Sequence, residues 1–200
     1  MKYILILALL FTGCVTTDVK PDSPKVPEVV APVEQPSKPI ESVSLLAWGD
    51  QKPSWDVALY SEIAKHDWSS VKVPCKQYSK EHCVGQLISI MAKYESSFKP
   101  EVTYKEGFND SKGKPVISRG LLQLSIESAN QKAYGCEIEQ ASDLHDPAIN
   151  LRCAVRIVAF QAKKSKTLMG EPKLGCAAYW SVCRKSSGSN AKILKYMEQF

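Results

Sequence analysis

The sequence predicts a mainly α-helical domain with room for one short β-hairpin, carried behind an extended tether. Three observations lead there. Beyond about residue 47, apolar residues recur at steps of three and four between recognisable helix caps. A stretch rich in Gly, Asn, Asp, Ser and Pro, residues 99–119, interrupts that pattern. Residues 15–47 carry prolines at 21, 24, 27, 32, 36 and 39, a spacing that leaves no helical or strand period intact. The 200 residues are 44% hydrophobic and 24% charged, ordinary globular values that exclude collagen, coiled-coil and wholly disordered chains. No apolar run reaches the roughly 18 residues of a spanning helix, which excludes a polytopic membrane protein.

The organisation is expected to be 1–13, an export signal; 14–47, a lipidated Cys14 with a Pro-rich linker; and 48–200, the working domain. Lys2 is a positive start, and Tyr3 to Phe11 form an apolar core too short to cross a bilayer. Thr12, Gly13 and then Cys14 resemble a bacterial lipobox, with Phe11 standing where Leu is usual. That resemblance implies a membrane anchor at Cys14. Val15 rather than Asp after it implies the periplasmic face of the outer membrane, where a cell has two.

Seven cysteines are an odd number for an exported chain. With Cys14 lipidated, Cys75, Cys83, Cys136, Cys153, Cys176 and Cys183 remain for as many as three bridges. Cys75 with Cys83, across a Pro-led polar loop, is the preferred single bridge. If 174–184 is one helix, Cys176 and Cys183 lie about 10 Å apart along its axis and need other partners or stay reduced. The net charge is +5, and the linker holds five acidic residues against three lysines, so the domain is slightly more cationic still. The basic residues are scattered and form no nucleic-acid motif, so no nucleic-acid partner is expected.

Within the domain, Ser54 can cap a first helix that carries Trp55, Ala58, Leu59, Glu62 and Ile63 on one face. A second runs from about His82 to Phe98. In 99–119, Val102 to Tyr104 can pair with Val116 to Ser118 as a hairpin. Ser125 can cap a third helix ending at Gly135, and Asp146 before Pro147 starts a fourth running to about Lys164. Segments 174–184 and 190–199 read as the fifth and sixth.

The second helix carries the most informative residue. Val84, Leu87, Ile88 and Met91 form its apolar stripe, and the same steps continue to Glu95 and Phe98. A carboxyl is thus expected on the core-facing side of the last turn. Burial and the negative helix end both raise its pKa, as a general acid near neutrality requires. The alternative is a hydrated Glu95 at the domain edge, paired with Lys99.

Around it, Glu95-Ser96, then Gly120-Leu121-Leu122-Gln123, then Ala178-Tyr179-Trp180 occur in order. They resemble the E-S, G-L-M-Q and A-Y-N motifs of the soluble lytic transglycosylase (SLT) domain of the lysozyme-like superfamily, over roughly residues 82–184. The resemblance implies a lysozyme-like α+β fold that cleaves the MurNAc–GlcNAc backbone of peptidoglycan, acting as a monomer without metal or organic cofactor. It makes Glu95 the catalytic acid and base and Tyr179 its hydroxyl partner. Ser96 would position the acid or the substrate, Gly120 would admit a sugar, and Gln123 would bond it. Leu122 replaces the usual Met in that substrate-binding motif. Trp180 replaces Asn and serves either as a sugar-stacking surface or as a core aromatic.

The interval from Glu95 to Gly120 is longer than the family's usual spacing, so residues 99–119 form an enlarged loop. Its Tyr104 and Phe108 can line a glycan cleft or peg the hairpin. The loop also holds Glu106 and Asp110, and Asp110 is the candidate second carboxylate if the reaction is hydrolysis. One well-placed Glu favours a transglycosylase with a 1,6-anhydro product. A hydrolytic muramidase and a non-catalytic wall-binding lipoprotein are the alternatives.

Overall fold

The computed structural model describes residues 46–50 and 52–200. The export signal, Cys14 and nearly all of the tether lie outside them. Five α-helices are described: α1 (Pro53–Ile63), α2 (Lys80–Ser96), α3 (Ile126–Ala129), α4 (Pro147–Ser165) and α5 (Gly188–Met197). One antiparallel hairpin pairs β1 (Thr103–Asn109) with β2 (Pro115–Arg119). A two-residue pair joins β3 (Met169–Gly170) to β4 (Leu174–Gly175).

The central element is α2. Its Cys83, Val84, Leu87, Ile88 and Met91 are fully buried, and Ser79 caps it by accepting from the His82 amide. The helix stops because Ser97 and Phe98 both turn into left-handed backbone, at φ 54° and 62°. It ends two residues earlier than the sequence predicts, with Glu95 still in its last turn.

The predicted stripe of α1 is buried as expected, Glu62 included. The helix starts at Pro53, whose fixed φ suits the first position, rather than behind a Ser54 cap. Burial alone would raise the Glu62 pKa. Bonds from Arg156 of α4 and from Lys65 outweigh that and hold it below the usual carboxylate range, so the buried charge ties α1 to α4. Asp146 caps α4 through the amides of Ala148 and Ile149, with Pro147 first in the helix.

Two of the expected helices differ. The third helix is a single turn, because Asn130 bonds both the N–H and the C=O of Ile138 and leads the chain into a loop instead of on to Gly135. Residues 174–184 are not one helix. They form β4, a 3₁₀ turn at Cys176–Ala178, extended backbone at Trp180 and a second 3₁₀ turn at Ser181–Cys183. That fold-back brings the Cα atoms of Cys176 and Cys183 to 5.9 Å, and the two are bonded to each other. The other bridges are Cys75–Cys83, the expected one, and Cys136–Cys153.

Candidate active site

The end of α2, the hairpin, the α3 segment and residues 179–184 together wall a cleft of about 580 Å³. Glu95 opens into it. No hydrogen bond among the described residues reaches its carboxyl, and burial pushes its pKa from 4.5 to about 7, with the Glu106 carboxylate adding to the rise. The direction of the shift matches the sequence expectation; the residue itself is half-buried, at the cleft end of the apolar stripe.

Glu106 is the residue that sequence reasoning passed over. It is the one partly sheltered position of β1, and its Oε1 accepts from the Ser118 hydroxyl at 2.6 Å across the hairpin. The available signal was alternation: Tyr104, Glu106 and Phe108 are separated by steps of two along a strand that walls the cleft. Asp110, the candidate second carboxylate for a hydrolytic reaction, also lines the cleft. Its Oδ1 is already taken by the amides of Lys112 and Lys114, closing the hairpin turn. Tyr104 is 60% exposed and does not line the cleft; Phe108, from the same strand, does.

The glycine-led motif packs inward. Gly120 has φ +75°, and a Cβ there would meet the Leu144 carbonyl at 2.0 Å and Asn150 Nδ2 at 2.3 Å. Asn150, fully buried, accepts from the Leu122 amide and donates to the carbonyls of Arg119 and Leu144. What comes close to Gly120 is therefore Asn150, not a sugar. Leu122 likewise turns its side chain into the core. Its place in the site is indirect, through its carbonyl, which accepts from Trp180 Nε1 at 2.9 Å.

Trp180 is 3% exposed and forms floor, which decides for the core aromatic over the open stacking face. Gln123 does face the cleft. Its Nε2 donates to the carbonyls of Val102 and Gly120, while its Oε1 is buried without a hydrogen-bond partner among the described residues. Ser96 is buried and donates back to the Ala92 carbonyl, so it secures the helix end beside Glu95.

Tyr179 lines the same cleft, but its hydroxyl pairs with Ser128 rather than with Glu95. Burial pushes its pKa to about 12, so it stays a neutral phenol. Ser128 sits in the turn capped by Ser125.

Glu95, half-buried at a helix end, and Glu106 on the hairpin line one cleft, and a pair of carboxyl groups flanking the scissile bond is the usual equipment of glycan-cleaving sites. The transglycosylase SLT domain family matches residues 74–181, more than half of the sequence, and the chain belongs to that family. No curated relative matches it. Among solved structures it is similar to Bd0314 DslA. The wild-type form 2 is 33% identical, covering 78% of this chain and 96% of that one, with a TM-score of 0.68. Two other DslA forms each carry one Glu-to-Gln mutation, at positions eleven residues apart in that chain. They are 34% and 32% identical, cover 72% and 78% of this chain and 88% and 96% of theirs, and have TM-scores of 0.66 and 0.68.

Proposed function

We propose that this lytic transglycosylase-like domain cleaves the β-1,4 bond between MurNAc and GlcNAc in peptidoglycan, with Glu95 as proton donor. One observation carries the reading: a carboxyl whose burial raises its pKa to about 7, opening on a cleft able to take sugars. Glu95 gives its proton to the glycosidic oxygen, and the carboxylate left behind then takes a proton from the attacking hydroxyl. In the transglycosylase reaction that hydroxyl is the muramic C6–OH. The C1–O4 bond breaks, a C1–O6 bond forms, and the product is a 1,6-anhydro sugar with no water consumed. Gln123 and the neutral Tyr179 phenol line the same cleft and would flank a bound sugar chain.

Hydrolysis is a second reading, favoured by Glu106. It accepts from the Ser118 hydroxyl, and a carboxylate lining the same cleft as Glu95 can hold an attacking water. The eleven-residue separation of Glu95 and Glu106 equals that of the two mutated glutamates of DslA.

Mass spectrometry of digested sacculi tests both. Anhydro products, lighter by one water than the hydrolytic ones, are expected, and their absence from an active digest overturns the lyase reading. Glu95→Gln should abolish cleavage while sacculus binding survives; equal turnover would remove Glu95 from the chemistry. Glu106→Gln should spare a lyase and disable a hydrolase.

The three disulfides support an oxidising compartment. With a lipid on Cys14, the domain would be tethered to the envelope within reach of the wall. Loss of labelled fatty acid in Cys14→Ala checks this, and undiminished labelling would refute it.

A further inference from the structure

Four carboxylates line the cleft: Glu95, Glu106, Asp110 and Glu127. Among the described residues its lining contains one cation, Arg184. That guanidinium is pre-oriented. Nε donates to the Ala177 carbonyl at 3.0 Å and Nη2 to the Tyr179 carbonyl at 3.4 Å, both acceptors lying in the loop closed by Cys176–Cys183. The ion pairs of the described residues all converge on Glu62, so Arg184 has no carboxylate partner among them. A half-buried guanidinium, held by carbonyls and with N–H donors to spare, is suited to bind a planar anion through paired hydrogen bonds.

We propose that Arg184 binds a carboxylate carried on the muramic-acid substituent of the glycan strand, and so selects strands that bear one. The inference rests on the glycan-cleaving reading above. In such a strand the sugar rings are uncharged, and the carboxylates hang from the 3-O-lactyl group of MurNAc. The anion is the lactyl carboxylate itself where the stem peptide has been removed, or a carboxylate of the stem where it remains. Glu106, Asp110 and Glu127 come from the hairpin and α3, and their like charge disfavours an anion beside those segments. Arg184 is the lining residue whose charge attracts it.

The test uses sacculi whose carboxylates have been converted to amides with carbodiimide and ammonia, set against untreated sacculi. The wild-type kcat/KM should fall about tenfold or more on amidated material, the scale of a charge-assisted hydrogen-bond pair. Arg184→Gln should be weak on untreated sacculi and indifferent to amidation, with Arg184→Lys recovering part of the rate. Amidase-stripped sacculi separate the two sources. A deficit of Arg184→Gln that persists there assigns the lactyl carboxylate, and one that disappears assigns the stem. Wild-type indifference to amidation on both intact and amidase-stripped sacculi overturns the proposal. So does a loss in Arg184→Gln by the same factor on both substrates, which would mean only that the 176–183 loop had loosened. Failure of the wild type to cleave any sacculus overturns the glycan-cleaving reading as well.

Discussion

Replacing Glu95 by Gln should stabilise the protein at alkaline pH and leave it unchanged in acid. The carboxyl is buried enough that its pKa rises from 4.5 to about 7. Between those values the unfolded chain has ionised and the folded one has not, so stability falls as pH rises through the interval. At about 1.4 kcal/mol per pH unit, the loss is about 3 kcal/mol by pH 8. Gln has nearly the same shape and never ionises, so it removes this penalty. For a domain of this size the gain is a Tm about 6–12 °C above wild type at pH 8, with almost no difference at pH 4. Thermal melts followed by circular dichroism at the two pH values read it directly. Equal increments at both would show that the gain has nothing to do with ionisation. No increment at pH 8 would show that Glu95 is solvated, and the case for a general acid near neutrality would go with it.

Because Glu106 contributes to the raised pKa of Glu95, Glu106→Gln should move the alkaline limb of kcat/KM to lower pH, where Glu95 now loses its proton; an unmoved limb would uncouple the pair. Gly120→Ala forces a Cβ into the Leu144 carbonyl at positive φ, so urea melts should show a loss of about 2–4 kcal/mol. Asn150→Ala removes three hydrogen bonds that shape the 119–122 loop. It should cost about 3 kcal/mol or more in the same assay, since the orphaned backbone groups remain buried. Joint replacement of Cys176 and Cys183 by Ala should cost about 2 kcal/mol of stability, the value for closing so short a loop. It should also lower kcat, because Tyr179 lies inside that loop.

Much of the fold was legible because its causes are local. The stripe of α1, the Asp146–Pro147 start of α4, the hairpin in 99–119 and the placement of Glu95 all follow from side-chain period or capping chemistry in neighbouring residues. The Cys75–Cys83 bridge spans only eight positions and was equally accessible. The failures share a different origin. The turns of 174–184 depend on Leu168, whose carbonyl leaves no room for a side chain at Gly175, and on Leu122, whose carbonyl holds Trp180. Asn150 shapes the 119–122 loop from 28 residues away in sequence.

The same division runs through the site. By itself the sequence determined that Glu95 sits in the last turn of its helix, since the steps of three and four leading to it are a property of one helix. Only the tertiary structure decided what surrounds it. It brought Glu106 into the cleft and spent Asp110 on a turn. It gave the Tyr179 hydroxyl to Ser128, buried Trp180, and left Arg184 as the lone cation of the lining among the described residues. Those contacts join segments far apart in the chain. Their energies come from burial and hydrogen-bond satisfaction in three dimensions, which no local period encodes.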